Sequence, residues 1–304
     1  MKAVRFEKYG GVDVLSVEEV PTPAPGPGQV LVQVKAAGIN PGEAKVRDGL
    51  LRERFPATFP SGQGSDLAGV IAGLGTGAVG LAVGENVIGY TDNRASQAEY
   101  VLVEAEHLAP KPDAVPWEVA GGLFVTGTTA YATVRAVAPG PGDTVVVAGA
   151  AGGVGSIAVQ LAKLTGAAVI GVASQANHDW LAAHGVVQVA YGEGVADRIR
   201  AAASNVDAFI DTQGRDYVQV ALELGVRPER IDTINNFAAV AEYGVKADGN
   251  AVGASAATLA LLAGLAAMGE LEVPIAATFP LEDVRDAYRL LAQGHVRGKI
   301  VLTP

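Results

Sequence analysis

One stretch limits the fold of this chain more than any other: Val145-Val-Val-Ala-Gly149-Ala-Ala-Gly152-Gly153-Val-Gly155. A run of β-branched residues enters a turn of glycine and alanine, and Ser156–Leu164 leaves it with helical spacing. Long side chains would hold other groups away from such a turn. Without them, backbone can approach closely and the N–H groups of the helix N-terminus stay open to an anion. A pyrophosphate needs that arrangement. Gly149, Ala150, Gly152, Gly153, Val154 and Gly155 are therefore the candidate residues for binding a dinucleotide, because the glycines sit between a strand and a helix.

The surrounding sequence continues the strand–helix alternation. Ala168–Ala173 reads as a second buried strand, Asp179–His184 as a short helix closed by Gly185, and Ala208–Asp211 as a further strand. Alternation at this spacing predicts an α/β fold with a doubly wound parallel sheet of the Rossmann type and right-handed crossovers. Ahead of it, Glu118–Val137 has unbroken helical spacing. The first hundred residues differ. Lys2–Phe6, Leu15–Val20 and Val30–Ala36 read as strands, as do Tyr100–Val103 and segments centred on Val70–Ile71 and Val87–Ile88. Short strands with frequent turns predict a compact, barrel-like β region. Prolines 21, 23, 25 and 27 make the segment before Gly28 a stiff extended connector. The last third offers a helix over Ala254–Met268, a strand over Pro274–Thr278, a helix over Leu281–Gly294 and a strand over Lys299–Thr303. These closing pieces resemble the first region more than the middle.

Composition narrows the chemistry. The 304 residues are 49% hydrophobic and 18% charged, which suits a chain with a sizeable core. A net charge of −10 repels phosphate backbones, so no nucleic-acid partner is expected. The absence of cysteine excludes disulfides and every Cys-ligated metal site. The four histidines, His107, His178, His184 and His295, are scattered, and no metal site is expected. No signal peptide or apolar membrane span is expected either, which predicts a cytoplasmic protein. The sequence lacks a Gly-x-Ser-x-Gly elbow, and Tyr243 and Lys246 stand one residue too close for a Tyr-x-x-x-Lys pair.

The end of the second strand bears on which dinucleotide binds. An acid there accepts from a ribose 2′-hydroxyl and favours NAD. Val172-Ala-Ser174-Gln-Ala-Asn177-His178 carries no acid before Asp179. Ser174 and Asn177 are neutral donors and His178 can add charge, so this end tolerates a 2′-phosphate and NADPH is expected.

Several blocks in order carry a family resemblance. They are Ala37-Gly-Ile-Asn40-Pro with Arg47-Asp-Gly49, Gly64-Ser-Asp66-Leu-Ala-Gly69-Val, Val83-Gly84-Glu-Asn-Val-Ile-Gly89-Tyr90, Ala98-Glu99-Tyr100, Gly127-Thr-Thr129-Ala-Tyr131, the 149–155 turn and Gly298-Lys299-Ile-Val. Over essentially its whole length the chain resembles the zinc-free quinone oxidoreductase branch of the medium-chain dehydrogenase/reductase superfamily. The resemblance implies a GroES-like substrate domain split between residues 1–120 and 269–304, a Rossmann domain over 121–268, an active site in the cleft between them, and a homodimer. It implies NADPH-dependent, metal-independent reduction of a small quinone or enone. Asn40 would face the nicotinamide and substrate, Thr129 and Tyr131 would line the nicotinamide pocket, Tyr191 would follow the adenine-side strand, and Phe237 would border the nicotinamide. Asn40 and Tyr131 are the expected donors to the oxygen that gains charge. The chain departs from the family at Asn177, where lysine is common, at Glu43, where aspartate is common, and at Lys45, where a tyrosine is expected. Leu224–Ile231 lacks a Gly-Gly turn and Gly244–Ala254 is short. A non-redox biosynthetic enzyme on the same fold, or an NADPH-binding sensor without turnover, are the competing expectations.

Overall fold

The computed structural model describes residues 1–214 and 216–304. The chain divides into two compact units. One comprises Met1–Val125, Ser255–Glu270 and Pro274–Pro304, the other Thr126–Ala254 and Leu271–Val273.

The first unit is built on the long strand Gln29–Gly38, where alternate residues Val30, Val32, Val34 and Ala36 are buried as period-two spacing requires. Its antiparallel partners are Asp66–Leu74, Tyr100–Glu104 and, near its end, the C-terminal strand Lys299–Thr303. The sheet continues through Asn86–Tyr90 to Leu108–Pro110 on one side and to Ile275–Pro280 on the other. A separate three-stranded sheet joins Ser16–Glu19, Lys2–Phe6 and Ser61–Gly62. The two chain ends share one core: Val4, Phe6 and Leu15 pack with Leu281, Val284, Ile300 and Leu302. Full burial of such side chains contributes about 1.5–3 kcal/mol each, enough to tie the distant segments together.

The second unit has five parallel strands in the order Val187–Ala190, Ala168–Ala173, Thr144–Ala148, Ala208–Asp211, Ile231–Thr233. Chain order reverses on either side of Thr144–Ala148, which makes its C-terminal end the switch point of the sheet. Val146, Ile170, Val172, Phe209 and Ile231 form the core against Val195, Ile199 and Val218 of the covering helices.

Two expectations need correction. The continuous helix over Glu118–Val137 is two helices, Trp117–Gly121 and Phe124–Val137. The break follows from packing. A Cβ on Gly121 would stand 2.5 Å from the Ala36 carbonyl oxygen, so the first helix lies directly on the strand and ends at Gly122. The helix Ala256–Ala267 groups with the first unit, whereas the expected boundaries at 120/121 and 268/269 put it in the second. It packs against Leu108–Pro110 and Asn86–Tyr90 of the β region. Among the described residues no helix is long and apolar enough to cross a membrane.

Candidate functional site

The first unit encloses a polar cluster around Asn40, which is 2% exposed. Asn40 precedes the helix Pro41–Arg47, started by proline at its first position and by Glu43, whose side chain reaches back to the Asn40 N–H. The Glu43 carboxylate accepts five hydrogen bonds: from the Asn40 backbone N–H (3.0 Å), Asn40 Nδ2 (3.0 Å), Ser65 N–H (3.2 Å), Gln97 Nε2 (3.2 Å) and the Tyr288 hydroxyl (2.8 Å). Asp66 accepts from Asn40 Nδ2 (3.2 Å), the Val125 N–H (3.1 Å) and Lys299 Nζ (3.2 Å). The other two N–H groups of the Lys299 ammonium go to the Ile39 carbonyl (2.9 Å) and Asn40 Oδ1 (2.6 Å). Carboxylates only accept and an ammonium only donates, so these neighbours orient the amide: Oδ1 toward Lys299, Nδ2 between Glu43 and Asp66.

Burial pushes the Glu43 carboxyl up from its ordinary value, and the Asp66 charge adds to it, while Asn40 and Tyr288 act in the other direction. Burial likewise raises Asp66, opposed chiefly by Lys299. The Tyr288 phenol is held well above its ordinary value by burial and by the adjacent Glu43 charge. Eight donor contacts to two carboxylates suit their ionised form. The cluster changes the expected role of Asn40. Both of its amide N–H groups are spent on carboxylates, so donation to a substrate oxygen is not open to it in this arrangement. Sequence reasoning gave Asp66, Tyr288 and Lys299 no role. The available signal was charge inside apolar runs, as in Lys299-Ile-Val-Leu302 and Asp66-Leu-Ala, since a buried charge needs a partner.

In the second unit, the turn forms as the sequence requires. Gly149 has φ +76°, a left-handed conformation that glycine adopts without strain, and its N–H and that of Ala150 both donate to the Val172 carbonyl. A Cβ on Gly155 would lie 2.1 Å from the Gly149 carbonyl oxygen, so only glycine lets the helix Gly153–Leu164 start this close to the turn. Gly152 caps that helix, and among the described residues no side chain supplies a cap. The N–H groups of Gly153, Val154 and Gly155 have no intrahelical acceptor and stand at the positive end of a 12-residue helix. These features fit a pyrophosphate.

The neighbouring strand ends lie beside this turn in the sheet. At the end of Ala168–Ala173, Asn177 Nδ2 donates to Ser174 Oγ at 2.9 Å, which leaves the serine hydroxyl hydrogen and one amide hydrogen for other acceptors. His178 opens the helix His178–Ala183, and its Nε2 is buried without a hydrogen-bond partner among the described residues. Asp179, the first acid, is exposed one residue further on. Tyr191 follows the adjacent strand Val187–Ala190 and is 52% exposed. On the other side, the Thr212 hydroxyl donates to the Ala148 carbonyl at 2.7 Å and Asn235 Nδ2 to the Thr212 carbonyl at 3.0 Å, ordering the loop that ends at Phe237, which is 58% exposed.

Thr129 and Tyr131 both lie on the helix Phe124–Val137. Two residues apart on a helix, their side chains do not share a face. Thr129 is buried, whereas Tyr131 lines a cavity of about 270 Å³ with Arg135, Lys246, Asp248 and Val252. Among the described residues no group of three or more His, Cys, Asp or Glu converges to hold a metal ion.

Residues 26–113 match the family described as alcohol dehydrogenase GroES-like domain, and residues 181–302 match the family described as zinc-binding dehydrogenase. The chain is 35% identical over 178 residues to a quinone oxidoreductase of Rattus norvegicus, a match covering 57% of this chain and 53% of that protein. It is 37% identical over 175 residues to an NADPH-dependent alkenal/one oxidoreductase of Arabidopsis thaliana, covering 54% of this chain and 44% of that protein. The matched part thus spans about half the length of these curated relatives. The solved quinone oxidoreductase of Coxiella burnetii is similar over 100% of this chain and 99% of its own, with a TM-score of 0.89 and 30% identity.

Proposed function

The chain belongs to the quinone oxidoreductases of the medium-chain dehydrogenase/reductase superfamily, and we propose that it is an NADPH-dependent, metal-independent reductase of quinones or α,β-unsaturated carbonyls. One observation carries the cofactor part: a tight glycine turn at the sheet's switch point, followed by a helix start whose N–H groups have no side-chain cap among the described residues. Gly149, Ala150, Gly152, Gly153, Val154 and Gly155 hold the pyrophosphate. Ser174 and Asn177 donate to the 2′-phosphate, with His178 beside them and no carboxylate before the exposed Asp179 to repel it. Tyr191 covers the adenine end and Phe237 the nicotinamide end.

Bound NADPH supplies a hydride equivalent. The chain's own groups do the rest. Thr129 borders the nicotinamide. The Tyr131 phenol donates to the oxygen on which negative charge builds, an interaction that strengthens as the charge grows. Asn40 forms a fixed polar wall on the substrate side, its orientation set by Glu43, Asp66 and Lys299. A flat, activated acceptor asks mainly for positioning and charge stabilisation, and water supplies the last proton. The working form is a homodimer.

The test is NADPH consumption, followed by loss of nicotinamide absorbance, with a panel of quinones and enones and NADH in parallel. Turnover with NADPH well above NADH supports the reading. Tight NADPH binding without oxidation by any acceptor overturns it.

A further inference from the structure

Within the polar cluster, Lys299 stands apart from its neighbours. It lies at the start of the last strand, more than two hundred residues from its partners, and is 3% exposed. Its ammonium meets three oxygens, on Ile39, Asn40 and Asp66, so each N–H has one acceptor. The 2.6 Å contact to Asn40 Oδ1 is the shortest of the three. Among the described residues Lys299 is the one side chain that donates to the oxygen end of the Asn40 amide, whereas Glu43 and Asp66 both draw the nitrogen end. Remove the ammonium, and Oδ1 loses its charged donor while two carboxylates remain on either side of one amide. The amide is then held less firmly, and Asp66 keeps no cationic partner among the described residues. Burying such a residue is costly, and shorter apolar residues satisfy a strand equally well.

We propose that Lys299 is a positioning residue for the reductase: a cation tethered to the C-terminal strand that locks the Asn40 amide between Glu43 and Asp66. This inference rests on the reading of Asn40 as part of the substrate-side wall. Lys299 acts through Asn40 and has no N–H left for a ligand.

The experiment compares Lys299→Met with Asn40→Ala in the full chain, using 1,4-benzoquinone as acceptor and nicotinamide fluorescence for the NADPH Kd. Positioning errors of an ångström cost about 10²-fold in favourable cases, so a loss of kcat of about tenfold or more is expected in both variants, with NADPH Kd changed by less than about threefold. Lys299→Ala recovers part of its kcat in added ethylammonium, which fills the vacated cradle, and Asn40→Ala does not. A folded Lys299→Met with wild-type kcat beside an impaired Asn40→Ala overturns the proposal and leaves the Asn40 reading standing. Wild-type kcat in both variants overturns the Asn40 reading and the proposal with it. If Lys299→Met fails to fold, Lys299→Arg decides. It keeps a cation but spreads the charge over a planar fork that cannot meet three converging oxygens. Lower kcat at unchanged NADPH Kd then supports the proposal, and wild-type kcat overturns it.

Discussion

One site in each unit treats polar groups in the opposite way to the other. In the first, Asn40, Glu43, Asp66 and Lys299 spend their hydrogen bonds on one another, and even the Tyr288 hydroxyl is engaged by Gln63, Gln97 and Glu43. In the second, the turn after Ala148 ends in helix N–H groups with no side-chain cap, and the buried Asp232 has one donor, the Asp248 N–H, with its Oδ2 left unpartnered among the described residues. Burial drives the Asp232 carboxyl up from 3.8 to about 7. The contrast separates rigidity from affinity. A closed polar network fixes shape and has little left to offer a ligand, whereas uncapped backbone donors hold a site open for an anion.

The contrast breaks most visibly at Glu43. Glu43→Ala leaves Tyr288, Gln97 and Asn40 donors without their acceptor, and a loss of about 3–5 kcal/mol of stability is expected in denaturant unfolding. NADPH affinity should stay near wild type in the protein that remains folded. Gly155→Ala does the reverse. Its Cβ would meet the Gly149 carbonyl at 2.1 Å and push the helix start off the turn, so an increase in NADPH Kd of about 100-fold, or about 2.7 kcal/mol, is expected by titration.

Asp232 sharpens the comparison through pH. Its carboxyl binds a proton more tightly folded than unfolded, so stability falls as pH rises from about 4 to about 7, and the full penalty is present above that. Asp232→Asn removes the charge, and a gain of about 2 kcal/mol, roughly half of what the full shift corresponds to, is expected at pH 8 with little change at pH 4. A gain equal at both pH values would show that Asp232 does not titrate as described. The smallest effect belongs to the ribose end. Ser174→Asp places a carboxylate where a 2′-phosphate is expected, and the ratio of NADPH to NADH affinity should fall about tenfold.

How much of this was legible in the sequence depends on how far apart the cooperating residues stand. The run from Val145 to Gly155 predicts its own strand, turn and helix because every determinant is local. The helix break at Gly122 is invisible to periodicity. It comes from close contact between Gly121 and the backbone of Ala36, more than eighty residues earlier. The same holds for the polar cluster. Asn40 and Glu43 stand three residues apart, yet that Asn40 is saturated follows only when Asp66 and Lys299 arrive from two other strands.

The central claim is that the uncapped turn of the second unit binds NADPH for reduction of a conjugated acceptor. The most direct measurement is single-turnover oxidation of bound NADPH on mixing with 1,4-benzoquinone, with wild type and Gly155→Ala side by side. Rapid loss of nicotinamide absorbance in wild type, and none in Gly155→Ala at the same cofactor concentration, is the predicted result. Equal oxidation in both, or NADPH that stays bound and reduced in wild type, would contradict the account.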